Sequence, residues 1–127
     1  MRVLIDTQVL LWWFRDDPAL SAKARRTIAK ADNEILVSAA SGWEMAIKNK
    51  SGKLDAQELL DRLNIELDEQ GFLVQPISLE YALRAGALVL HHKDPFDRML
   101  VSQAQAENLP ILSNDVVFDR YGIRRIW

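Results

Sequence analysis

Val3-Leu4-Ile5-Asp6-Thr7-Gln8-Val9-Leu10-Leu11-Trp12-Trp13-Phe14 opens the chain with a short apolar run, an acid, and a second apolar stretch. An uninterrupted apolar run of this kind reads as a strand buried on both faces. Val9 to Phe14 then reads as a helix, ended by Arg15-Asp16-Asp17-Pro18, because proline cannot continue a helix. A strand, an acid at its end and a helix make up a βα unit, from which parallel sheets are built.

The same alternation runs along the rest of the chain. Ser21 caps a basic helix over Ala22 to Ala31, and Glu34-Ile35-Leu36-Val37-Ser38 is a second strand. A helix through Trp43, Ala46 and Ile47 comes next and stops near Ser51-Gly52, where glycine suits a helix end. Asp55 is expected to cap an amphipathic helix carrying Leu59, Leu60, Leu63 and Leu67, closed by Gly71. Phe72 to Ile77 gives a third strand, Ser78 opens a helix through Tyr81 and Ala85, and Pro95 opens one that reaches Asn108. Pro110 to Ser113 is a fourth strand, and Ile123 to Trp127 a short fifth at an edge. The expectation is an α/β fold with a mainly parallel central sheet of four to five strands, in one domain spanning residues 1–127.

Composition excludes several classes. The chain has no cysteine, which removes disulfides and thiolate zinc sites and favours a reducing cytoplasm. No apolar run approaches the roughly 20 residues needed to cross a bilayer, and no signal peptide is expected at the N-terminus, so no membrane role is foreseen. The five glycines are too scattered for a phosphate loop or a dinucleotide fingerprint. A net charge of −2 gives no bulk attraction to nucleic acid, so contact with a polyanion would depend on local clusters of lysine and arginine.

The chemistry-bearing pattern is acidic. Asp6 ends the first strand, Asp115 comes after the fourth, and Glu44 lies shortly beyond the second. In an open parallel sheet these carboxyl ends share one edge, outside which ligands bind. Asp97 joins them if the helix opened by Pro95 starts at that edge. Two carboxylates about 4 Å apart repel by roughly 4 kcal/mol at an effective dielectric of about 20, so such a group holds protons or recruits a cation. Magnesium suits it, needing only one or two direct carboxylates while keeping several waters. Each acid also has a structural role open to it. Ser41-x-x-Glu44 matches a capping box, Asp6 and Asp115 could each cap the helix or turn after it, and Asp97 suits a helix N-terminus. In Asp94-Pro95-Phe96-Asp97, proline at the first helical position makes Asp94 the N-cap and leaves Asp97 free for the crevice.

Four segments, in order, resemble the PIN-domain nucleases, and among them the VapC-type toxins of bacterial toxin–antitoxin pairs. They are Leu4-Ile5-Asp6-Thr7-Gln8-Val9-Leu10, Ser38 to Lys48 around Glu44, His92-Lys93-Asp94-Pro95-Phe96-Asp97-Arg98 with Gln103-Ala104, and Ile111-Leu112-Ser113-Asn114-Asp115 with Phe118 and Tyr121-Gly122. The resemblance implies an α/β/α sandwich and a magnesium- or manganese-dependent endoribonuclease in which metal-activated water cleaves RNA phosphodiester bonds. It also implies an antitoxin partner that blocks the site, and a homodimer. Carried over, Asp6, Glu44, Asp97 and Asp115 match the catalytic acids, with Asp6, Asp97 and Asp115 as metal ligands and Thr7, Ser113 and Asp94 in support. The implied mechanism needs no histidine, and His91 and His92 read as loop residues.

Arg98 and Lys48 are the candidates for RNA contact, Lys48 because it shares a helix with Glu44 in the Lys48-Lys50-Lys53 cluster. Trp12, Trp13 and Phe14 cannot all be equally buried at 100° steps, so one ring is expected to stay at the surface, either lying along a core helix or free for an antitoxin or dimer contact. Two alternatives compete with a nuclease. A receiver-like magnesium-binding module calls for a paired acid after the first strand, where Thr7 stands, and a late lysine that Asn114-Asp115 lacks. A non-catalytic module on the same fold would have lost acids, and none is lost.

Overall fold

The computed structural model describes residues 1–127, and its centre is a five-stranded sheet in the order β3-β2-β1-β4-β5. The strands are β1 (Arg2–Ile5), β2 (Glu34–Ser38), β3 (Leu73–Gln75), β4 (Ile111–Leu112) and β5 (Arg125–Ile126), and every pairing is parallel. The helices are α1 (Thr7–Phe14), α2 (Ala22–Ala29), α3 (Ala39–Lys50), α4 (Gln57–Asp61), α5 (Leu63–Glu69), α6 (Leu79–Ala87) and α7 (Pro95–Glu107), and a 3-10 turn covers Val116–Tyr121. No helix is long and apolar enough to cross a membrane.

Side chains alternate across a strand, and that period divides the core in two. Val3, Ile5, Ile35 and Val37 face a cluster with Val9, Leu10, Ala24, Ile28 and Met45. Leu4 and Leu36, the intervening residues, face Leu100, Val101, Ala104 and Phe118 on the other side. Both faces are therefore covered, which is why β1 reads as continuous apolar sequence and why the layers are α/β/α.

The strand order fixes where a ligand can sit. The chain builds outward from β1 through β2 to β3, then crosses to the other side of β1 for β4 and β5. Ile5 pairs with Val37 on one side and Leu112 on the other, so Asp6, Ser38 and Ser113 leave the sheet side by side. The reversal of strand order between β1 and β4 opens a crevice at that end.

Local structure departs from expectation at three places. The leucine-rich helix is two short helices meeting at Arg62, and Ala56, not Asp55, precedes the first; the Asp55 carbonyl instead accepts from Arg15 Nη2 at 2.8 Å. The break lets the second piece turn Leu67 into the core. The third strand is shorter than Phe72–Ile77, because Phe72 packs beneath α1 against Trp13 and Phe14, at ring separations of 6.2 and 6.3 Å. The aromatic trio does not leave one ring free. Trp12 packs on Trp127 at 5.8 Å, Trp13 and Phe14 share Phe72, and all three are partly buried.

Candidate active site

Each acid is placed by the start of an element. Asp6 is the N-cap of α1, its Oδ1 accepting from Val9 N–H at 2.8 Å, and it is almost wholly buried. Asp115 is the N-cap of the 3-10 turn, its Oδ1 accepting from Val117 N–H at 3.0 Å. Both carboxylates thus do the structural job open to them with one oxygen and leave the other for the crevice. Asp94 caps α7 by accepting from Phe96 N–H at 2.8 Å and Asp97 N–H at 3.1 Å, with Pro95 in the first turn and Asp97 standing above the cap.

Glu44 is not part of a capping box. Strand β2 runs directly into α3, so Ser38 takes the N-cap by accepting from Ala40 N–H at 3.0 Å, and Ser41 falls inside the helix. Ser41 Oγ accepts instead from Thr7 Oγ1 at 2.9 Å, a buried bond that ties α1 to α3. Glu44 is then free to point into the cleft, where Lys48 Nζ, one turn along, donates to its Oε2. Its Oε1 is buried with no hydrogen-bond partner.

Asp6, Thr7, Glu44, Lys48, Asp94, Asp97 and Asp115 line one cleft of about 310 Å³, together with Lys53 and Asn114. Ser113 lies beneath, fully buried, accepting from Asp115 N–H at 3.0 Å and hydrogen-bonding the Asp6 carboxylate. Arg98 is not in the cleft. Its guanidinium reaches back under the preceding loop to the carbonyls of Ala85 (2.9 Å), Leu88 (3.1 Å) and His92 (3.3 Å). Asp119, near Asp115 in sequence, turns outward to pair with Arg125 at 3.0 Å.

Crowding shows in the acid equilibria. Burial, with the Glu44 and Asp115 charges adding to it, pushes Asp6 from 3.8 to about 6, although hydrogen bonds from Ser113 and Val9 pull the other way. Burial first, and then the neighbouring Asp94 charge, pushes Asp97 up to about 7, against the pull of His92. The Glu44 hydrogen bond raises the Lys48 ammonium. An orphaned buried carboxylate oxygen and two carboxylates that resist ionisation are what a bound cation would relieve. The donors are hard oxygens, which suits magnesium or manganese.

Sequence reasoning missed His92. Its Nε2 lies 2.7 Å from Asp97 Oδ2 and 3.7 Å from Asp115 Oδ2. The available signal was its place two residues before the α7 cap, which lets the ring fold back onto the first turn; its Nδ1 accepts from Asp94 N–H at 3.3 Å.

The PIN domain family model matches residues 3–124. The chain belongs to the PIN domain family. PIN domains are in general metal-dependent nucleases, and the gathered acids of this one accord with that. No curated protein sequence matches it. Among solved structures, the fold is shared with VapBC2 from Rickettsia felis bound to a DNA fragment from its promoter, with a TM-score of 0.71 at 17% identity over 99% of this chain and 98% of that one. VapBC-1 from nontypeable Haemophilus influenzae aligns at 0.66 and 13% identity, covering 99% and 97% of the two chains. A toxin–antitoxin complex from Klebsiella pneumoniae aligns at 0.62 and 21% identity, covering 90% and 87%. At these identities the likeness is one of fold.

Proposed function

We propose that this PIN domain is a single-domain, divalent-metal-dependent endoribonuclease that acts as the VapC-type toxin of a toxin–antitoxin pair, with an antitoxin protein as its partner and a second copy of itself in a homodimer. The supporting observation is the convergence of Asp6, Glu44, Asp97 and Asp115, from four separate elements, on one cleft in which Glu44 Oε1 is buried and unpartnered. The three solved structures that share the fold come from toxin–antitoxin complexes, which supports the partner class.

Asp6, Asp97 and Asp115 would hold magnesium or manganese through the oxygens not committed to caps, with Glu44 in the same cleft. When bound, the ion supplies Lewis-acid polarisation of a phosphodiester oxygen and acidifies a water. The chain's own groups do the rest. Lys48 and Lys53 line the same cleft and neutralise phosphate charge along the RNA backbone. Glu44, which lines the cleft, would accept the proton of the attacking water. Ser113 and Val9 N–H fix Asp6, Asp94 fixes the first turn of α7, and the Thr7–Ser41 bond holds α1 against α3, so the acids are set before substrate arrives.

The test is cleavage of pooled single-stranded RNA by the purified protein with magnesium, with EDTA, and with Asp6→Asn. Cleavage only in the first condition is expected. A protein that binds magnesium yet leaves all RNA intact would be a non-catalytic module on this fold.

A further inference from the structure

The segment before α7 is anchored on every side except one. Tyr121 Oη, from the far end of the 3-10 turn, accepts from the backbone N–H of His91 (3.1 Å) and His92 (3.0 Å) and donates to the Val89 carbonyl (2.9 Å). Arg98 holds the Ala85, Leu88 and His92 carbonyls. The His91 ring packs edge-on against Tyr121 at 5.1 Å. Within His92, the N–H, the C=O and Nδ1 are therefore all engaged. Only Nε2 remains, and it is buried against Asp97 and Asp115.

Two roles fit an imidazole placed there, and they are opposites. His92, Asp97 and Asp115 present ligand atoms within 4.8 Å of one another and could together take an ion, which requires a bare Nε2. The alternative is that Nε2 carries a proton and serves the carboxylates. The tautomer decides between them. Nδ1 accepts from Asp94 N–H, so it is unprotonated and the neutral ring has its proton on Nε2. A histidine that ligates metal shows the reverse, its far nitrogen donating to a carboxylate or carbonyl. The 2.7 Å contact to Asp97 Oδ2 is not aligned as a hydrogen bond in the metal-free protein, and hydrogen bonds in such sites commonly align only when the ligand is bound.

The geometry points to His92 as a positioning residue of the metal centre: its Nε2–H holds Asp97 Oδ2 and turns the other oxygen of Asp97 to the ion, while Tyr121 and Arg98 hold His92. The cation is then ligated by oxygen alone. Hydrogen bonds that orient ligating carboxylates in this way carry about 10–100-fold in metal affinity.

This inference rests on the proposed metal centre, and the experiment separates the two by measuring Mn2+ without RNA. Affinity is measured for the unsubstituted protein, His92→Ala and His92→Gln, and pulsed paramagnetic resonance of the bound Mn2+ reports directly attached nitrogen. Expected are an about 10–100-fold weaker affinity in His92→Ala, substantial recovery in His92→Gln, whose amide can donate, and no directly bound nitrogen in the unsubstituted protein. Nitrogen bound to Mn2+ and lost in His92→Ala would make His92 a ligand and overturn the proposal, as would an unchanged affinity in His92→Ala. If His92→Ala fails to fold, His92→Gln carries the test: affinity within a few-fold of the unsubstituted protein and no bound nitrogen support the donor role, and a loss as large as about 100-fold refutes it. Failure of the unsubstituted protein to bind Mn2+ would refute the metal centre itself.

Discussion

Asp94 and Asp97 stand three residues apart, and replacing each should do different damage. One oxygen of Asp94 accepts from two backbone N–H groups, Phe96 at 2.8 Å and Asp97 at 3.1 Å, so Asp94→Ala leaves both donors at the start of α7 without a partner. Cap removals cost about 0.5–2 kcal/mol, and the loss of two bonds points to the upper half of that range. One effect opposes it. The Asp94 charge is the second cause of the raised Asp97 pKa, so removing it eases repulsion in the metal-free cleft. The net expectation is about 1 kcal/mol at neutral pH, a fall of about 4 °C in Tm for a chain of this size, and somewhat more when magnesium has already relieved the repulsion. Urea unfolding with and without magnesium, beside an RNA cleavage assay, measures both quantities. Asp94→Ala should keep a cleavage activity proportional to its folded fraction, whereas Asp97→Asn should, without magnesium, unfold no earlier than the unsubstituted protein, and should cleave nothing. A silent Asp94→Ala with an unshifted urea midpoint would refute this division of labour.

Asp6 gives a prediction with a sign. The folded state keeps the Asp6 proton up to about pH 6 while the unfolded chain releases it near 3.8, so metal-free protein loses stability as pH rises through that window, by about 3 kcal/mol. In EDTA at about pH 8, Asp6→Asn should therefore be the more stable protein, and urea midpoints at about pH 5 and pH 8 check it. Tyr121→Phe removes a hydroxyl that serves three backbone groups of residues 89–92, and about 1–3 kcal/mol should be lost, with amide hydrogen exchange rising at His91 and His92. Lys53→Ala should weaken RNA binding across sequences and flatten the salt dependence by about one counterion, read from affinity at several ionic strengths.

The parts legible in the sequence are those in which local pattern and global geometry coincide. Val3-Leu4-Ile5-Asp6 and Ile111-Leu112-Ser113-Asn114-Asp115 read as strands with acids at their ends, and parallel pairing about β1 brings those ends to one edge. Asp94-Pro95 reads as a helix start because proline's missing N–H is harmless only there. What misleads is chemistry that depends on distant partners. Arg98 beside Asp97 resembles a phosphate ligand, but its long side chain is drawn to three carbonyls, two of them at the C-terminal end of α6. Ser41 resembles a cap because nothing local shows that β2 enters α3 without a loop. His92 is brought to the acids by Tyr121, a residue 29 positions later, through a hydroxyl whose partners no spacing rule could name.

The first and last acids also show why the structural and chemical roles cannot be weighed as alternatives. Asp6 and Asp115 each use Oδ1 as a helix or turn cap, and those bonds fix the carboxylate plane, which determines where the remaining oxygen lies. A carboxylate held only by a metal would lose its direction whenever the metal left. Here the backbone N–H groups of Val9 and Val117 keep the direction in the metal-free protein, while burial without a full set of partners keeps the Asp6 charge energetically unfavourable. Capping therefore pre-organises the site, and the cost shows as a raised pKa at Asp6, which a cation would relieve.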